Sequence, residues 1–98
     1  MTEQPLNEIK ITGQGKVVFS QLVPIKDNRS LVKYIIMYGK GSAVVVKIFY
    51  SVPTPIIFGK DTIVYFEGLL QENKYKDDEG NWKSTGNEIM ASIINDMV

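Results

Sequence analysis

The chain has 98 residues, of which 44% are hydrophobic and 22% charged, the size and composition of one ordinary globular domain. It contains neither cysteine nor histidine, which excludes disulfides, thiolate metal sites and Ser-His or Cys-His catalysis, so we expect no enzyme and no metal or cofactor site. Eleven basic residues balance eleven acidic ones, but eight of the basic and three of the acidic residues precede residue 61, so a net charge of zero still permits a basic face.

The start of the chain predicts a short tail ahead of a single domain. Residues 1–7 are polar and contain Pro5, which is typical of a flexible N-terminal segment, and the domain is expected over residues 8–98. No basic region followed by an apolar one opens the chain, and no apolar run approaches the roughly 18 residues that span a bilayer. We therefore expect a cytoplasmic protein without a membrane partner.

Five runs rich in Val, Ile, Phe and Tyr are typical of β-strands, and they occupy residues 8–25, 30–38, 42–51, 62–76 and 88–94. Gly13 and Gly15 interrupt the first run, which predicts a bulge or sharp bend in one long, coiled strand. Turn residues at 26–29 and 39–41 separate the first three runs, so these strands are expected to form an antiparallel meander.

The second half of the chain begins with a connection that is not a strand. Pro53 and Pro55 exclude a continuous central strand there, so a short helix or an irregular crossover is expected. The fourth run is long and contains Gly68, so it should bend at that residue and project. Residues 77–81 then turn the chain and residues 82–94 return, as a strand in preference to the helix that the apolar spacing also fits.

Five strands with a connection between the third and the fourth have the layout of the five-stranded Greek-key OB barrel. The sequence therefore predicts an all-β OB-fold from which the hairpin of strands four and five projects.

The second half also carries an ordered set of short motifs. A Lys and Gly turn leads into a strand that ends in apolar-x-Glu-Gly-x-Leu, and a basic aromatic stretch, an Asp and Gly turn and a strand opened by Glu follow. This order resembles bacterial and phage single-stranded-DNA-binding proteins. The segments that match are GKDTIVYFEGLL at 59–70, Tyr75-Lys76-Asp77, Gly80 and Glu88-Ile89, with weaker similarity at Ile11-Thr12-Gly13 and at residues 45–49.

The resemblance implies sequence-tolerant binding of single-stranded DNA in replication, recombination or repair, in a bacterial cell or the cytoplasm of an infected host. It also implies a homo-oligomer, most simply a dimer, as do the open strand ends and apolar runs such as residues 43–46. Two departures favour a phage or plasmid type. The family's helix is shortened to a Pro-containing segment, and the chain ends at Val98 without an acidic, Phe-terminated tail for partner recruitment.

Binding a single strand without reading its sequence requires a basic groove for the phosphates and aromatic faces on which bases stack. Alternation places Tyr34 and Tyr38 on one face of the second strand and Lys33 on the other. On the third strand, Lys47 and Phe49 share a face and the next residue points the opposite way. The candidate nucleic-acid-binding residues of these two strands are Lys33, Tyr34, Tyr38, Lys47, Phe49 and Tyr50.

The hairpin between the fourth and fifth strands interleaves basic and aromatic residues, which suits a clamp over a DNA backbone. Its candidate binding residues are Lys74, Tyr75, Lys76, Trp82 and Lys83. The resemblance implies base stacking by Phe49 and Tyr75. Core packing explains the aromatic residues of strands two and three equally well, whereas Trp82, beside polar neighbours, contacts either a ligand or another subunit.

A different class of function stays open. The zero net charge also suits an OB-fold protein-interaction or virion component that binds no nucleic acid. Retention of the purified protein on a single-stranded-DNA column at low salt distinguishes the two.

Overall fold

The computed structural model describes residues 8–97 and contains five strands: β1 (Lys10–Pro24), β2 (Ser30–Tyr38), β3 (Ser42–Tyr50), β4 (Ile63–Lys76) and β5 (Trp82–Asp96). The tail predicted at residues 1–7 lies outside the described residues, as does Val98. Within residues 8–97 no segment is helical, so the connection from β3 to β4 is an irregular crossover and the all-β prediction is confirmed. This part of the chain accordingly has no helix that is long and apolar enough to cross a membrane.

The five strands close into a barrel in the order β1-β2-β3-β5-β4. The long strand β1 pairs with two neighbours. Its first half is antiparallel to β4 and its second half is antiparallel to β2. A short parallel ladder between residues 46–48 of β3 and 89–91 of β5 completes the ring. This Greek-key order confirms the predicted OB-fold.

Glycines allow strands to approach closely where the barrel wall bends. A Cβ atom on Gly15 would lie 2.5 Å from a carbonyl oxygen of β2, and one on Gly68 would collide with a carbonyl oxygen of β5. The register of β4 against β5 shifts at Gly68, where a bend was predicted, whereas the shift of β1 against β2 lies beyond its glycines, between Val17 and Phe19. β1 nevertheless remains one continuous strand.

The core consists of inward side chains from all five strands: Val17, Val32, Tyr34, Ile36, Val46, Ile48, Val64, Phe66, Ile89, Ala91 and Ile94. The crossover covers one end of this core, where Ile57 and Phe58 pack against it. Two hydrogen bonds join the crossover to β2, since the Phe58 N–H donates to the Tyr34 hydroxyl (3.1 Å) and the Ser30 hydroxyl donates to the Val52 carbonyl (2.7 Å). The crossover thus closes the barrel in place of a helix.

β4 runs away from the crossover and ends in a projecting hairpin. We call residues 71–87 the arm; every side chain in it except that of Asp77 is exposed. The Asp77 carboxylate organises the turn, because its Oδ1 accepts hydrogen bonds from the N–H groups of Glu79 (3.0 Å) and Asn81 (2.8 Å). The projecting hairpin that the sequence predicted is therefore confirmed, and the carboxylate at residue 77 serves its turn.

Candidate nucleic-acid interface

Side chains of β2 and β3 that point away from the core form the outer face, which comprises Leu31, Lys33, Ile35, Val45, Lys47 and Phe49. The antiparallel register pairs Lys33 directly with Lys47, and Leu31 with Phe49. Phe49 is 56% exposed. Two lysines and an open aromatic ring therefore lie within a few residues of one another, which is the combination that stacking and phosphate contact require.

Lys47 is not a free cation on this face. Its Nζ lies 2.9 Å from Oε2 and 3.1 Å from Oε1 of Glu88, and both side chains are largely buried. Sequence reasoning did not include Glu88 in the site. Residues 47 and 88 are 41 positions apart, and they meet through the parallel ladder of β3 with β5, whose register no local pattern encodes.

Tyr34 is a core residue, and its prediction as a nucleic-acid contact is wrong. Its side chain has no exposed surface, and its ring lies 6.4 Å from that of Phe58, centroid to centroid. Burial raises the pKa of its hydroxyl above the ordinary value, although the hydrogen bond from the Phe58 N–H opposes that shift. Tyr34 does share a face with Tyr38, as predicted, but that face points inward.

The other two tyrosines of these strands differ in accessibility. Tyr50 points inward and packs against the core, and burial raises the pKa of its hydroxyl, so its predicted role in binding is not supported. Tyr38 follows the same inward alternation but lies at the last position of β2, beyond the packed core, and is 50% exposed. It stays available to a ligand at the arm end of the barrel.

The arm presents two different faces. Residues directly opposite each other on paired strands share a face, and the register pairs Tyr75 with Lys83 and Lys76 with Trp82. The Lys76 ammonium lies 5.9 Å from the centroid of the Trp82 ring, a cation–π contact. Tyr75 (48% exposed) and Trp82 (68% exposed) therefore point to opposite sides of the arm.

Alternation relates these two sides to the barrel. Side chains alternate along β4, so the Tyr75 side chain points to the same side as that of Gln71. Gln71 pairs with Glu88 of β5, which contacts Lys47, so this side is continuous with the outer face of the barrel. The side chains of Lys74 and Lys76 lie on the opposite side, which is continuous with the inward-facing side of β4. The candidate residues thus form an outer group, with Phe49 and Tyr75, and an inner group, with Tyr38 and Trp82.

Ion pairs occupy two lysines of the arm. Lys74 lies 3.2 Å from Glu72 and Lys83 lies 3.7 Å from Asp77. Hydrogen bonds from Ser84 and Lys74 hold the pKa of Glu72 below its ordinary value. Exposed pairs of this kind contribute little stability, so both lysines can turn to a phosphate at small cost. Among residues 8–97, no group of three or more acidic side chains is placed to hold a metal ion.

Comparison with known proteins gives similarity in structure but not in sequence. No family model matches the chain, and no curated protein matches it. The barrel is similar to the crystal structure of the mitochondrial single-stranded-DNA-binding protein Rim1 of S. cerevisiae, with a TM-score of 0.65 over 94% of this chain and 97% of that one. The two chains share the OB-fold. At 16% identity this likeness concerns the fold, and it does not distinguish a bacterial or phage type.

Proposed function

We propose that this chain binds single-stranded DNA with little sequence preference, by base stacking and phosphate contacts. The observation that carries the proposal is the exposure of Phe49, Tyr75 and Trp82 beside lysines, on a barrel whose core is complete without them. Stacking of a base on such a ring contributes about 1–3 kcal/mol. The likeness to the Rim1 barrel, itself that of a single-stranded-DNA-binding protein, supports the proposal.

The distribution of these side chains suggests a path for the strand. From Phe49 it crosses the lysines of the outer face, passes Glu88 and reaches Tyr75 on the arm. Contact with Trp82 requires the strand to pass round an edge of the arm, because that ring lies on the other side. The proposed path therefore wraps the arm rather than lying along one flat surface.

A salt titration of oligo-dT binding tests the proposal. Five lysines border the path, Lys33, Lys47, Lys74, Lys76 and Lys83, and Glu88 already neutralises Lys47. Three or four phosphate contacts at about −0.7 each give a slope of roughly −2 to −3 for log K against log salt concentration. Duplex DNA should bind more weakly, because the stacking rings need unpaired bases. A slope near zero, or tighter binding of duplex, contradicts the proposal.

The wider setting is part of the same proposal. It comprises a phage- or plasmid-type protein that acts in DNA replication, recombination or repair, in the cytoplasm of a bacterial or infected cell, as a homo-dimer. It needs no cofactor and performs no reaction, since binding and release of a strand break no covalent bond.

A protein-interaction or virion component is the second candidate. Ile56 is 82% exposed and Val52 is 48% exposed on the crossover, an apolar surface that binding of DNA does not explain. The neutral net charge agrees with this alternative. Failure to bind a single-stranded-DNA column at low salt favours it over the main proposal.

A further inference from the structure

Glu88 is the one charged residue that is buried among residues 8–97, with 9% of its surface exposed. It lies on β5 beside the short parallel ladder with β3, and its carboxylate reaches Lys47 on the outer face. A buried carboxylate loses its hydration, and an apolar side chain often fills such a position without loss of stability. The barrel alone gives no reason for an acid here.

Two lysines and Glu88 lie close together on the outer face, and Glu88 changes how these lysines can bind an anionic ligand. Lys33 and Lys47 lie directly opposite each other on neighbouring strands, where like charges repel. Glu88 contacts Lys47 through both oxygens, at 2.9 and 3.1 Å, and the Lys47 side chain is only 22% exposed. Among residues 8–97, Lys33 has no such acidic partner. Of the two lysines, one is available to a phosphate and the other is neutralised.

We infer that Glu88 restrains DNA binding by withholding Lys47 from the phosphate backbone. The inference rests on the proposed function. A phosphate that approaches Lys47 also meets the Glu88 carboxylate, so the neutral pair releases no counterion from DNA and contributes no salt-dependent affinity. The acid keeps the affinity moderate, which favours release of the strand.

The Glu88→Gln variant tests this inference, because the amide keeps the shape of the side chain and removes its charge. Freed Lys47 should add one phosphate contact, which steepens the salt slope for oligo-dT by about 0.7 and tightens binding about fivefold to tenfold near 50 mM salt. The matched control is Glu67→Gln on β4, which removes the same charge beside Thr12 of β1 and Ile93 of β5, away from Lys47. It should leave the slope unchanged.

The double variant Lys47→Gln/Glu88→Gln covers the case in which Glu88→Gln alone fails to fold, as it removes both charges together. It should keep the slope of the parent protein, because the pair contributes no contact there. A slope shallower by about 0.7 would mean that Lys47 already binds phosphate in the parent, and it would overturn the inference.

The outcomes separate this inference from the function on which it rests. If the parent binds oligo-dT and Glu88→Gln has the same slope with a lower Tm, the ion pair is structural and the inference alone fails. If neither protein binds oligo-dT at low salt, the proposed function fails with it. Binding that appears only in Glu88→Gln supports the restraint by Glu88.

Discussion

At the scale of single residues, Tyr34 links the barrel wall to the segment that covers it. Its ring lies in the core, and its hydroxyl accepts the only hydrogen bond that the structure gives to the Phe58 N–H. A buried phenol without a partner would be costly, as would a buried N–H. The pair satisfies both groups and fixes the crossover over the core without a helix.

Replacing Tyr34 with Phe should destabilise the fold by about 1–3 kcal/mol, because the Phe58 N–H loses its acceptor. The pKa of Tyr34 is raised in the folded state, so its contribution to stability is complete below the unfolded pKa of about 10 and is lost as pH rises past it. Urea unfolding from pH 7 to 11 should show a smaller alkaline loss in Tyr34→Phe than in the parent. Burial also raises the pKa of Tyr50, so part of the alkaline loss of stability should remain in Tyr34→Phe.

Tyr38→Phe is the control for this measurement, since that side chain is half exposed and lies at the end of β2. It should leave the stability at pH 7 unchanged. Equal stability of Tyr34→Phe and the parent would show that the hydrogen bond to Phe58 does not hold the crossover.

Alternation in the sequence was enough to place Tyr34 and Tyr38 on the same face of β2. It was not enough to show that this face points into the barrel. β2 carries Val32, Tyr34 and Ile36 on one side, and Leu31, Ile35 and Met37 together with Lys33 on the other, so both sides are mostly apolar. Which side becomes the interior depends on how the sheet closes, and that is set by strands far away in the chain. Core and surface aromatics could therefore not be separated from the local pattern.

At the scale of elements, the arm is a two-stranded ribbon with a different aromatic residue on each side. The sequence predicted its existence and its residues, because a long strand, an Asp-Gly turn and a return are local signals. The sequence did not predict on which side of the arm each aromatic residue lies. The register shift between Glu72 and Lys74 changes which β5 residues face outward, and only the paired structure shows that Tyr75 and Trp82 diverge.

Tyr75→Ala and Trp82→Ala should each weaken binding of oligo-dT by about 1–3 kcal/mol, because each removes one stacking surface. Their Tm values should stay close to that of the parent, since both rings lie outside the core. In the parent, oligo-dT should quench the fluorescence of Trp82, the single tryptophan of the chain. Fluorescence and filter-binding titrations measure the two effects.

Ile56→Ala, on the crossover, is the control for these variants and should bind like the parent. Loss of affinity in only one of the two arm variants would assign the strand to one side of the arm. Parent-like binding in both, with no change in fluorescence, would make the arm a structural or subunit contact, and the candidate site would reduce to Tyr38 and Phe49.

At the scale of the whole molecule, closure of the barrel mixes the basic first part of the chain with its acidic second part. Lys47 and Glu88, one from each part, meet across β3 and β5. Net charge could be counted from the sequence, but the pairing that removes one lysine from the outer face could not. The surface that results is less basic than the first 60 residues alone suggest.

The exposed apolar surface favours a dimer. Phe19 (48% exposed) and the half-buried Ile35 and Val45 lie side by side across β1, β2 and β3, an apolar row that adjoins Lys33 and Lys47 on the outer face. Light scattering at micromolar concentration should give twice the 11.0 kDa mass of one chain. Phe19→Ser should give a monomer. The control is Ile56→Ser, which also replaces an exposed apolar side chain but lies on the crossover, and it should remain dimeric. A parent protein that scatters as a monomer would leave this row without a partner subunit and contradict the prediction.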